Sequence, residues 1–178
     1  NIIDYIEFAT TGNATDFGDL SAVRAAPTGV SSSTRGVFCG GATPSTVTTI
    51  DYVTIASQGN GIDFGDISVA RQGYAGMSTG HGGLDVDNVQ RPSVTYMPGS
   101  GRVVALAPGY DPDGTDKCND KIELIHIPTK GNSSDFGNLT AARKFSGGGG
   151  SSLTRAFCAG GLAPSLTDTI DGIEMSTQ

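Results

Sequence analysis

The chain has 178 residues, 37% apolar and 16% charged, enough apolar content to bury a core and too much for a disordered polymer. Lys and Arg total 11 against 18 for Asp and Glu, a net charge of -7, and the basic residues are dispersed, which excludes the clustered positive groove that nucleic acid requires. No run nears the roughly 18 apolar residues of a membrane span and none reads as a signal peptide, so no membrane insertion is expected.

Glycine is frequent (27 residues) beside Ser, Thr, Val and Ile, and no amphipathic helical pattern occurs, so the composition reads as short strands and tight turns. The first strand, Ile2 to Phe8, is apolar on both faces, as in a sheet packed on both sides. Its pattern returns at Ile50-Asp51-Tyr52-Val53, Ile122-Glu123-Leu124-Ile125 and Ile170-Asp171-Gly172-Ile173. Starts at 3, 50, 122 and 170 give intervals of 47, 72 and 48 residues, the mark of a repeat array. The chain divides into units at about 3–49, 50–121 and 122–169 with a terminal strand at 170–175, all within one domain spanning 1–178.

After each of the first three strands comes a Gly-Asn turn (Gly12-Asn13, Gly59-Asn60, Gly131-Asn132), whose residues suit backbone angles that others resist. An Asp-Phe-Gly element follows. Phe17, Phe64 and Phe136 are expected as equivalent buried anchors, Asp16, Asp63 and Asp135 as side chains bonding nearby backbone, and the glycines as bend points. Arg24, Arg71 and Arg143 close the element at constant spacing. Three occurrences of one geometry indicate folding rather than three active sites, and a kinase reading of Asp-Phe-Gly lacks its phosphate loop and catalytic loop.

The next strand aligns without a gap between Thr34–Gly41 and Thr154–Gly161, an offset of 120. In that register Cys39 matches Ala159 and Cys158 matches Phe38, so the two thiols face opposite sides of their strands. With Cys118 they make an odd number without metal spacing, and are read as small buried hydrophobes. In the middle unit the equivalent strand is Arg102–Leu106, ending at Ala107-Pro108-Gly109 where the others have a double glycine. Its excess length is an insertion at 72–101, with a further strand expected at Val94–Met97. An insertion confined to one unit maps to a loop on one face, and His81, Asp85 and Asp87 make it the candidate binding loop.

Asp111, Asp113, Asp116 and Asp120 form the one concentration of acids and are the candidate calcium ligands. Their register fails the helix-loop-helix calcium loop, and the competing reading is an exposed acidic turn. His126 lies inside a strand, and the glycine run Gly147–Gly150 lacks the ending of a phosphate loop.

An apolar strand ending in Gly40-Gly41, then Tyr52, an aromatic anchor Phe64 and Arg71, resembles the kelch motif of β-propellers. The wording Gly-Asn-x-x-Asp-Phe-Gly-Asp-Leu also resembles kelch-like arrays in structural proteins of marine tailed bacteriophages. The resemblance implies an all-β fold of about three four-stranded blades of about 47 residues, an incomplete ring because closure takes four or more. It implies a non-enzymatic virion component of tail, fibre or capsid surface. Expected partners are copies of the chain or other virion subunits, and a host-surface glycan or protein. The alternatives are a cell-surface adhesin or glycan-binding propeller using the 76–101 loop and the acidic turn, and a propeller enzyme, for which no catalytic set is apparent.

Overall fold

The computed structural model describes residues 1–32, 34–78, 103–146, 148–151 and 155–174. Within them the chain is all-β, with one 3-10 turn at Thr115–Lys117. Strands β1 (Ile2–Tyr5) and β2 (Thr15–Asp19) form a two-stranded hairpin. Sheet I contains β3 (Thr28–Ser31) and β4 (Arg35–Cys39), then, beyond the small hairpin of β5 (Ala42–Thr43) and β6 (Ser45–Thr46), β7 (Thr49–Thr54) and β8 (Ile62–Asp66). Sheet II is β9 (Gly76–Ser78), β10 (Val103–Leu106), β11 (Asn119–His126) and β12 (Ser134–Arg143). Sheet III has three strands, β13 (Gly148–Ser151), β14 (Arg155–Ala159) and, after the small hairpin of β15 (Leu162–Ala163) and β16 (Ser165–Leu166), β17 (Ile170–Glu174). Every pairing is antiparallel between neighbours, and no sheet closes on itself.

The Asp-Phe-Gly element is a β-bulge. Ile3 pairs with Gly18 and Asp4 with Asp16, so Phe17 is the extra residue; Phe64 is skipped in the same way between Gly65 and Asp63, and Phe136 between Gly137 and Asp135. Gly18, Gly65 and Gly137 hold φ of +148°, +147° and +150°, which side-chain-bearing residues rarely adopt. Equivalence in register does not bring equal burial, however. Phe64 is buried, whereas Phe17 and Phe136 are half-buried. Phe64 lies edge-on against the buried Tyr52 in sheet I; Phe17 makes the same contact with Tyr5 in an uncovered hairpin, and Phe136 lines the edge of the second core.

The sheets stack face to face. Sheets I and II enclose Val30, Val37, Cys39, Ile50, Phe64 and Ile125; sheets II and III enclose Met77, Ala105, Ile122, Leu139, Ala156 and Cys158. This explains why odd positions are buried in β4 and even ones in β14: each presents to sheet II the face opposite to the other's. The three cysteines are free and buried, as their sequence context indicates.

First strands of successive sheets run side by side. Thr28 Oγ1 donates to Tyr74 O (2.7 Å), Ser78 Oγ to Ser31 O (2.9 Å), and Ser151 Oγ to Ser78 O. Glycine is required at this line: a Cβ at Gly76 would overlap Val30, and one at Gly149 would sit 2.8 Å from Met77.

Candidate functional site

The residues that recur in sequence converge at the junctions between successive sheets. The segment leading out of β2 carries Arg24, whose Nη2 lies 2.6 Å from Asp51 Oδ2 on β7. Arg71 lies 2.5 Å from Glu123 on β11, and Arg143 lies 2.7 Å from Asp171 on β17. All six side chains are at most 9% exposed. Each guanidinium also holds a backbone carbonyl, of Thr49, Lys121 or Cys158 respectively.

Hydroxyl and amide donors complete each carboxylate. Ser21 gives Asp51 both its N–H and its hydroxyl; Glu123 accepts from the Ser68 N–H and the Ser133 hydroxyl; Asp171 accepts from the Thr140 hydroxyl. Ser21, Ser68 and Thr140 are themselves equivalent by the 47- and 72-residue intervals. A buried charge is tolerated only when paired and hydrogen-bonded, and here the pairing is reproduced three times. The strand acids were visible in sequence as repeated polar residues inside apolar strands; their constant placement directly after the isoleucine of Ile50-Asp51, Ile122-Glu123 and Ile170-Asp171 was the available signal.

A second contact ties the same junctions together on the outside. The Gly59 and Gly61 N–H groups donate to Phe17 O and Asp19 O, while Asn60 Oδ1 accepts from the Asp19 N–H. One sheet further on, Gly131 and Ser133 donate to Phe64 O and Asp66 O, and Asn132 Oδ1 accepts from the Asp66 N–H. The Gly-Asn turn therefore seats on the bulged strand of the preceding unit. The approach is so close that a Cβ on Gly18 or Gly65 would stand 2.5 Å from the turn backbone.

Around the second junction the interior is tightly enclosed. Tyr74 packs on the Arg71 guanidinium, 5.1 Å from ring centre to carbon, and burial holds its hydroxyl well above the ordinary range. Burial likewise pushes the Cys39 thiol up to about 12, against the opposing pull of Arg71 and Arg24. Nearby, two cations approach the Tyr52 ring, Arg35 at 4.8 Å and Lys130 at 4.5 Å, and Arg35 donates to the Ile127 carbonyl.

The aspartates of Asp-Phe-Gly do not share one role. Asp16 Oδ1 accepts from the Gly18 N–H, Asp135 approaches Lys121 at 3.7 Å on the surface, and Asp63 is exposed opposite Asp51. In the acidic segment, Asp111 is buried with both oxygens engaged, by the Asp113 N–H and the Asn119 side-chain amide. Asp116 contributes its carbonyl to Lys144 Nζ. Asp111, Asp113, Asp116 and Asp120 do not converge, and among the described residues no three His, Cys, Asp or Glu side chains gather to hold a metal. His126 Nδ1 bonds the Thr129 hydroxyl at the surface. His81, Asp85 and Asp87, with the strand expected at Val94–Met97, lie outside the described residues. No protein-family model matches the chain, and no curated protein matches it either.

Proposed function

We propose that the chain is an arc of a kelch-like β-propeller, about three blades long, that serves as a non-enzymatic assembly component of a tailed-phage virion. The observation that carries this reading is the junction itself: the most regularly repeated polar residues, the arginines, strand acids and Gly-Asn turns, are consumed in joining one sheet to the next. The stacked sheets with their first strands adjacent suit a radial arrangement, and the period of about 47 residues suits a four-stranded blade. The placement in a virion rests on the sequence wording. Particles purified through a density gradient and labelled with antibody to the chain test it: the chain is expected to band with the particles and to be labelled on them. Recovery of the chain wholly apart from particles would overturn it.

A further inference from the structure

One cluster between sheets II and III stands outside the repeat. Isolated bridges mark the same place in each unit: Ala25 with Ala42, Gln72 with Tyr110, and Lys144 with Leu162. Tyr110 therefore stands where the other units have Ala42 and Leu162. The residue after the first member of each bridge holds a left-handed backbone, Ala26 at φ +51°, Gly73 at +60° and Phe145 at +55°. A methyl group or a hydrogen suffices there for the fold. Phe145 carries a phenyl ring on a backbone conformation unusual for a bulky residue, and it is 52% exposed.

The ring leans back toward sheet II. It stacks on Tyr110, with ring centres 6.1 Å apart and planes 23° from parallel, and a Cβ on Gly73 would stand 3.0 Å from its Cδ1. Lys117 Nζ and Lys144 Nζ lie 5.8 and 6.0 Å from the centre of the Tyr110 ring. Two of the chain's four lysines thus gather on one aromatic pair in a protein of net charge -7. Lys117 belongs to the turn at Thr115–Lys117, which stands between β10 and β11 where the other units carry the small hairpins β5–β6 and β15–β16. Asp111 fixes that turn through the Asp113 N–H and the Asn119 amide, and Lys144 Nζ holds it by the Asp116 carbonyl at 2.8 Å. All four residues lie on connecting segments, where binding groups are most often carried.

We propose that Tyr110, Phe145, Lys117 and Lys144 form a binding site for a glycan that carries an acidic sugar. The C–H groups on one face of a pyranose ring are apolar and weakly positive, and they match the negative face of the exposed Phe145 ring. The ammonium groups beside it match a carboxylate on the same sugar. Lys117 is exposed, with no hydrogen bond from its Nζ among the described residues, and Lys144 has two donors left after the Asp116 carbonyl. The acids of the turn set how many charges the site takes. Asp113 and Asp116 are exposed beside the two lysines and offset them, so a single carboxylate is accommodated and a densely sulfated chain is disfavoured. Particle labelling tests the virion reading separately and does not bear on this site.

The test is an array of immobilised oligosaccharides, probed with the whole chain, in which each uronic- or sialic-acid glycan stands beside its neutral, carboxyl-reduced counterpart. Binding to acidic glycans above their reduced counterparts is expected, and added salt should weaken it. Calorimetric titration with the strongest array glycan then compares variants. Phe145→Ala installs the residue that Ala26 shows to be compatible with the fold, so it should melt near the parent temperature and bind roughly tenfold or more weakly. Phe145→Trp should keep binding. Lys117→Met should bind roughly fivefold more weakly, with a shallower salt dependence. Four results would each defeat the proposal: no acidic glycan bound, equal binding to the reduced counterparts, a preference for sulfated dextran, or parental affinity in a folded Phe145→Ala protein.

Discussion

Replacing Arg71 with methionine removes the cation from the most enclosed of the three junctions. Both side chains of the Arg71–Glu123 pair are 0% exposed, so the carboxylate left behind has no solvent to turn to. It keeps the Ser68 N–H and the Ser133 hydroxyl, while the Lys121 carbonyl loses its guanidinium donor. Breaking a buried pair from one side costs about 3–5 kcal/mol. At about 2–4 °C per kcal/mol for a chain of this size, the melting temperature should fall by roughly 6–20 °C. The companion double variant, Arg71→Met with Glu123→Leu, removes the stranded charge and leaves two unsatisfied donors, so it should recover part of the loss and show a favourable coupling of about 2 kcal/mol. Urea unfolding followed by both circular dichroism and tyrosine fluorescence measures this, and two signals are needed because stacked units need not unfold together. An Arg71→Met protein within 1 kcal/mol of the parent, or a double variant whose loss equals the sum of the two single losses, would refute the reasoning.

The bulge glycines give a comparison free of charge effects. Gly65→Ala meets the backbone of Gly131 at 2.5 Å, whereas Gly137→Ala meets nothing, and both carry the same backbone strain. Measured at dilutions where the chain is monomeric, Gly65→Ala should therefore be less stable than Gly137→Ala by about 2 kcal/mol; equal losses would mean that the turn does not press on the bulge. For Cys39, burial raises the thiol from 9.0 to about 12, so the folded state holds its proton more tightly than the unfolded chain. Its effect on stability is absent below pH 9 and grows unfavourable from there to about pH 12, at up to about 1.4 kcal/mol per pH unit. Cys39→Ala should shallow that alkaline slope, and iodoacetamide at pH 8 should modify Cys39 only in unfolded protein. Modification at equal rates in folded and unfolded protein would contradict it.

The repeat spacing was legible because period and turn chemistry are local: the Gly-Asn turns and the bend at each Asp-Phe-Gly stand where the sequence places them. Three of the four strands start within one residue of expectation, while β11 starts three residues early. Strand β1 ends at Tyr5, its faces exposed or half-buried and Phe8 in solvent, instead of running to Phe8 packed on both sides. The junction was only half legible. Arg24, Arg71 and Arg143 stand out as repeated residues, but their partners lie 27, 52 and 28 positions downstream, and no local pattern couples them. Burial was legible least. Phe17, Phe64 and Phe136 share a register position and differ in exposure because the hairpin, sheet I and sheet II have different neighbours, a property of the stack rather than of any one unit. Asp111 shows the same limit: its acidic surroundings suggest a cation, while its own oxygens are taken by the turn that contains it.

The line of first strands has a consequence for how the array tolerates growth. In sheets I and III the first and second strands are joined through residues 32–34 and 152–154; in sheet II, residues 79–102 join β9 to β10 in the same pairing. Closure entropy rises only with the logarithm of length, by about 1.8 kcal/mol between three and 24 flexible residues, and the pairing of β9 with β10 stands across this longer connection. None of the junction residues lies in it. A polypeptide of foreign sequence spliced at Ser32–Thr34 or Ser152–Thr154 meets the same modest entropy and leaves every Arg–acid pair in place, which makes these two corners the natural graft points for display.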